Sequence, residues 1–142
     1  MPSRPPRPRA ALIELAERLP DTPLALVVAP AGAGKSVLLR AWRDALLAAG
    51  RASELVELSG LHADAASFFA AFVECLDRLA PGAFDVSLRA AAQVHDPERG
   101  WRVLARALLR DLSAEGPLLF PLLDGTESLP RGGAAEALLD EV

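Results

Sequence analysis

"LALVVAPAGAGKSVLLRAW", residues 24–42, is the stretch on which the reading of the whole chain turns. Leu24 to Val28 is continuously apolar between Pro23 and a glycine-rich run, the pattern of a strand buried on both faces of a parallel sheet. Beyond the glycines, Leu38, Leu39, Trp42, Ala45 and Leu46 recur at helical spacing, and Gly50 supplies a stop. The order strand, loop, helix predicts an α/β unit. The same segment holds Lys35, the only lysine in a chain with 14 arginines, so the position calls for something an arginine does not provide.

Ala29 to Ser36, "APAGAGKS", fits the phosphate-loop pattern G-x-x-x-x-G-K-[ST], with Ala29 standing where the first glycine is usual. Gly32 and Gly34 open backbone conformations closed to residues with a Cβ, so successive amide N–H groups can turn inward around phosphate oxygens. The helix expected from Lys35 adds its positive end to that cradle. A lysine threads a flexible stem along such a loop and sets a compact ammonium at the β- and γ-phosphates, where a planar guanidinium is too wide. Ser36 offers its hydroxyl to Mg²⁺, a hard cation that takes few protein ligands. The expected ligands are therefore ATP or ADP with Mg²⁺, held by Ala29, Pro30, Ala31, Gly32, Ala33, Gly34, Lys35, Ser36 and Val37. The alternative is a tight glycine turn with no ligand.

A second acid belongs with this chemistry, and "LLFPLLDG", residues 118–125, supplies Asp124 after an apolar run. Asp124 is the expected partner of Ser36 at the metal, acting through water; a simple turn before Gly125 is the other reading. Glu127 is the candidate for orienting water, against a solvated loop residue. Two features argue against full activity: Pro121 lies inside the strand and lacks a ladder donor, and Gly125 fills the slot after Asp124, where hydrolysing P-loop ATPases carry a second acid.

The remaining residues set the frame. A chain of 142 residues accommodates one domain, and a net charge of -4 leaves no broad basic surface for nucleic acid in this segment. Cys75 is the sole cysteine, sits in an apolar helical pattern and reads as a small buried hydrophobe. The longest uncharged run, residues 22–34, is too short for a membrane span, so a cytoplasmic protein without membrane contact is expected.

Residues 1–9 read as an extended Pro/Arg-rich arm, with Arg7 and Arg9 either folded over a bound base or free. Residues 10–142 form the expected domain. Helices are expected from Pro8 to Leu19 (inward face Ala11, Leu12, Leu15, Ala16 and Leu19) and after Asp64 (Phe68, Phe69, Phe72, Val73, Leu76 and Leu79 inward). A third runs from Pro97 to Ala114, with Asp96 as N-cap, Trp101, Leu104, Ala105, Leu108 and Leu112 inward, and Gly116 as its end. Strands are expected at residues 54–58 and 117–124, and a last helix over residues 131–142. Arg99, Arg102, Arg106 and Arg110 share one side of the Pro97 helix; a solvated face partnered by Glu98, Asp111 and Glu115 is expected, and a face for a phosphate or anionic partner is the alternative. His62 and His95 have no second ligand at useful spacing, so no metal beyond Mg²⁺ is expected.

With those motifs in place, the sequence resembles the nucleotide-binding domain of MalT-like STAND ATPases, P-loop proteins of signal transduction that often end in a LuxR-type DNA-binding domain. The resemblance is carried by "RPRAALIELAERL" (7–19), "LALVVAPAGAGKSVLLRAW" (24–42) and, more weakly, Leu58, Asp64 and Phe68, although Ser59 and His62 replace acids usual there. It extends from about residue 7 to residue 129. It implies a P-loop NTPase fold, a three-layer α/β/α sandwich with a parallel sheet, and an ATP-binding regulatory module of a LuxR-type transcriptional regulator that hydrolyses slowly if at all. The family sheet has a further strand between the lysine-bearing and aspartate-bearing strands, which implies an N-terminal fragment truncated before its last strands, and self-association through the full-length protein. Two rivals stay open. One is a small-molecule P-loop kinase, for which "ELSGLHAD" (57–64) offers only a poor acidic site; the other is a degenerate, non-catalytic nucleotide-binding scaffold.

Overall fold

The structure, a computed structural model, describes residues 10, 14–21, 27, 29–60, 64–114 and 118–142. Within them a 3-10 helix, Leu15–Asp21, precedes helix α1 (Lys35–Ala48), strand β1 (Ala52–Glu57) and helix α2 (Ala65–Leu79). Helices α3 (Asp85–Gln93) and α4 (Pro97–Ser113), strand β2 (Leu119–Asp124), a 3-10 turn (Thr126–Ser128) and helix α5 (Ala134–Glu141) follow. The class is α/β: β1 and β2 pair in parallel, from Ala52 opposite Leu119 to Glu57 opposite Asp124.

Strand alternation divides the apolar residues between the two faces of this sheet. Leu55 and Leu122 pack with Leu38, Leu39 and Trp42 of α1. Val56, Leu119 and Leu123 face a larger cluster built from α2, α4 and α5, in which Phe68, Phe69, Val73, Cys75, Leu104, Leu108 and Leu138 are fully buried. Phe68 stacks on Phe72 with ring centroids 5.8 Å apart, and Phe69 tilts against it at 6.2 Å. Burial pushes the Cys75 thiol up to about 11, reinforced by the nearby Glu54 carboxylate, so it remains a thiol at neutral pH.

Local signals account for most element ends. The Asp64 carboxylate accepts from the Ser67 backbone N–H at 3.1 Å and from its hydroxyl at 2.9 Å, starting α2. Arg78, in the last turn, donates two hydrogen bonds to Glu54 of β1 at 2.8 and 2.5 Å and ties helix to sheet. Pro97 occupies the first turn of α4.

Several expectations need correction. In the leading segment Ala10 and Glu14 are α-helical, as expected, but a 3-10 helix then runs from Leu15 to Asp21, two residues past the expected end at Leu19; Leu15 is exposed while Leu19 packs against α1. The strands run over 52–57 and 119–124 in place of 54–58 and 117–124. Asp96 stands at the N-cap of α4 but makes no side-chain cap, because its carboxylate pairs with Arg99 at 3.5 Å. Leu112 is exposed, because the last turn of α4 presents Asp111, bonded to buried Ser87, to the neighbouring helix instead. Of the partners expected for the arginine stripe, Glu98 accepts from the Ala134 N–H and Asp111 from Ser87, while Arg102 lies over the Trp101 ring. Helix α3 was not anticipated. The expected strand 24–28 lies outside the described residues except for Val27, which is not in a strand but packs against the α1 cluster. The arm of residues 1–9, His62, Glu115 and Gly116 also lie outside them.

Candidate functional site

The loop before α1 is built from its backbone. Ala33 N–H donates to Pro30 O at 3.2 Å, closing a turn, and Gly32 and Gly34 take φ of 77° and 87°. Nothing lies within 4 Å of where a Cβ would sit on either glycine, so the left-handed backbone, not crowding, calls for glycine there. Helix α1 then opens at Lys35 with no side chain capping its first turn, in contrast to α2, whose first turn Asp64 occupies. Among the described residues, no N-cap side chain takes up the amides of that first turn.

The Lys35 side chain runs back along the loop and donates from Nζ to Ala29 O at 2.6 Å and Pro30 O at 3.4 Å. The ammonium is therefore held at the head of the loop by carbonyl groups. Ser36 and Val37 are half-buried in the first turn of α1, and Pro30, Ala31, Gly32 and Ala33 are exposed.

Asp124 ends β2 in register with Glu57 at the end of β1, and the Leu58 N–H donates to Asp124 O at 2.8 Å. Both carboxylates lie two residues beyond Leu55 and Leu122, which pack on α1, so strand alternation turns them to the α1 face. The structure thus sets Asp124 on the same side of the sheet as the loop helix. Arg40, five residues after Lys35, reaches this edge and donates to Glu57 Oε1 at 2.6 Å. Its guanidinium is held above the ordinary arginine range chiefly by that hydrogen bond and the Glu57 charge, with Asp124 adding to them.

Gly125 explains one departure seen in the sequence. It takes φ of 82°, and a Cβ there would stand 2.6 Å from Leu58 O. An acid in the slot after Asp124 is excluded by both torsion and contact with the neighbouring strand's exit. Pro121 fits because β2 pairs with β1 along one side only among the described residues, while the adjacent Phe120 O accepts from Ser53 Oγ at 2.9 Å. Glu127 lies exposed on the 3-10 turn after Asp124, and no hydrogen bond or ion pair joins it to the loop among the described residues.

Sequence reasoning missed Arg40 and Glu57. Arg40 sits on the polar side of α1, and Glu57 alternates with apolar neighbours, so neither departs from an ordinary solvated face. A separate open depression of 600 Å³ lies between α3 and α4, walled by Val86, Arg89, His95, Arg99 and Val103, and no loop residue lines it. Among the described residues, no cluster of three His, Cys, Asp or Glu side chains could hold a metal, and no helix is long and apolar enough to cross a membrane.

No protein-family model matches the chain, and neither the curated proteins nor the solved structures give a match.

Proposed function

We propose that this chain is an ATP-binding regulatory module with a P-loop NTPase fold, the nucleotide-binding part of a STAND-type signalling ATPase of the LuxR-regulator kind, working in the cytoplasm. The observation that carries the reading is the pair of left-handed glycines beside an ammonium folded onto Ala29 O. Phosphate oxygens are better partners for that ammonium than two carbonyls, and the uncapped first turn of α1 supplies N–H donors beside it.

In this reading Lys35 neutralises the β- and γ-phosphates, Gly32 and Gly34 shape the cradle, Ser36 offers its hydroxyl to Mg²⁺, and Asp124 accepts from the metal's water. Magnesium would supply charge neutralisation of the phosphate oxygens. The donor set fits a cation that keeps most of its waters: one hydroxyl and one carboxylate, with no cluster of three acids among the described residues.

The exclusion of an acid at position 125 favours binding over turnover. It gives weight to a second reading, a nucleotide-binding scaffold without hydrolysis. A small-molecule kinase draws less support, since Glu57, the acid at the end of β1, is committed to Arg40. Self-association through a longer protein belongs to the same proposal.

Calorimetric titration with ATP and Mg²⁺ tests it. Lys35→Ala should lose ATP binding by about a hundredfold or more, since charge-assisted bonds to phosphate are the strong ones, with the far-ultraviolet circular dichroism unchanged. Equal titrations for variant and parent would remove the phosphate role. Phosphate release measured beside binding then separates a slow ATPase from a scaffold.

A further inference from the structure

At the carboxyl edge of the sheet, Glu57 and Asp124 are register partners and both face α1. Two carboxylates on adjacent parallel strands, about 5 Å apart between backbones, repel one another unless a cation is shared between them. Arg40 is the cation at this edge. It is bonded to Glu57 at 2.6 Å and lies close enough to Asp124 to respond to its charge. The pair is half-exposed, with side-chain exposures of 51% and 61%, so its contribution to folding is small. Its position beside Asp124 is a different matter, because each charge there acts on any cation that Asp124 attracts.

We propose that Arg40 and Glu57 are positioning residues that set the magnesium affinity of Asp124: Glu57 holds the guanidinium off Asp124, and Arg40 cancels the Glu57 charge beside it. The proposal rests on the nucleotide reading above. Removing the cation leaves two uncompensated carboxylates, which draw magnesium more strongly. Removing the Glu57 charge frees the guanidinium to pair with Asp124 and compete with magnesium. The two changes therefore act in opposite directions. A role confined to docking α1 on the sheet gives the same sign for both.

The test titrates MgCl₂ against the full chain and a fixed concentration of a fluorescent N-methylanthraniloyl ATP. Arg40→Gln should lower the magnesium concentration at half-saturation, and Glu57→Gln raise it, each by about fivefold at low salt. The double variant should return close to the parent, and all three should melt within a few degrees of it. Single variants that shift together, or not at all, while the parent depends on magnesium overturn this inference alone. A parent that binds the analogue with no magnesium dependence overturns the metal role of Asp124 first, and this inference with it.

Discussion

Among the described residues, the two faces of the sheet are unequal. On one, α1 contributes Leu38, Leu39 and Trp42 as buried residues, supported by half-buried Leu19, Val27, Ala45, Leu55 and Leu122. On the other, α2, α4 and α5 close over Phe68, Phe69, Val73, Leu104, Leu108 and Leu138, none more than 1% exposed. The loop and both carboxylates belong to the thin face. A site that must exchange a ligand is better carried by the less tightly packed element, while the thick face anchors the sheet it stands on.

The largest effect that tests this contrast is a core truncation on each side. Leu104→Ala should cost about 4 kcal/mol and Leu39→Ala about 2 kcal/mol by urea denaturation, because the fully enclosed site leaves a cavity while the partly buried neighbours of Leu39 can close in. Equal costs would show the faces to be packed alike.

A finer probe comes from the two tryptophans, one on each side: Trp42 on α1 and Trp101 on α4. Fluorescence of Trp101→Phe, which leaves Trp42, should report unfolding at lower urea than Trp42→Phe. Coincident transitions would make the chain one cooperative unit and dissolve the distinction.

The smallest effect concerns the cap that α2 has and α1 lacks. The Asp64 carboxyl is held below its usual range by the Ser67 hydroxyl and then the Ser67 N–H. A depressed folded value means that this stabilisation is complete above the ordinary carboxylate pKa, about 3.9, and fades as pH falls through the folded one. Asp64→Ala should therefore lower the melting temperature slightly at pH 7, and the difference from the parent should close in acid. A gap that persists at pH 2 would assign the effect to packing.

These contrasts mark how far the sequence could be read. The stripe of Phe68, Phe69, Phe72 and Val73 is period and hydrophobicity, and α2 follows directly. Gly32, Gly34 and Lys35 are likewise local, and their backbone is visible in the residue types. Helix α3 escaped notice because its one fully buried side chain is Ser87, whose N–H and hydroxyl donate to Asp111 at 2.9 and 2.6 Å. The apolar residues that help it pack, Phe84, Leu88 and Ala91, are few and interrupted by Asp85, Ser87 and Arg89, so the stripe is short. The arginines of α4 are exposed, as a solvated face requires, but the acids expected beside them, Glu98 and Asp111, bond to other helices.

What the chain alone determined was whatever a residue settles with its near neighbours, within a turn of helix or a few steps of strand: the loop torsions, the apolar stripes and the cap at Asp64. What only the tertiary structure decided joins residues far apart. Arg40 meets Glu57 across 17 positions, Arg78 meets Glu54 and Ser87 meets Asp111 across 24, and Ser53 meets Phe120 across 67. Each such polar pair is a local choice between water and a distant partner, nearly balanced in free energy. The packing of α1 and α2 on opposite faces of the sheet decides which partner comes within reach, and so decides which acids stand beside Asp124.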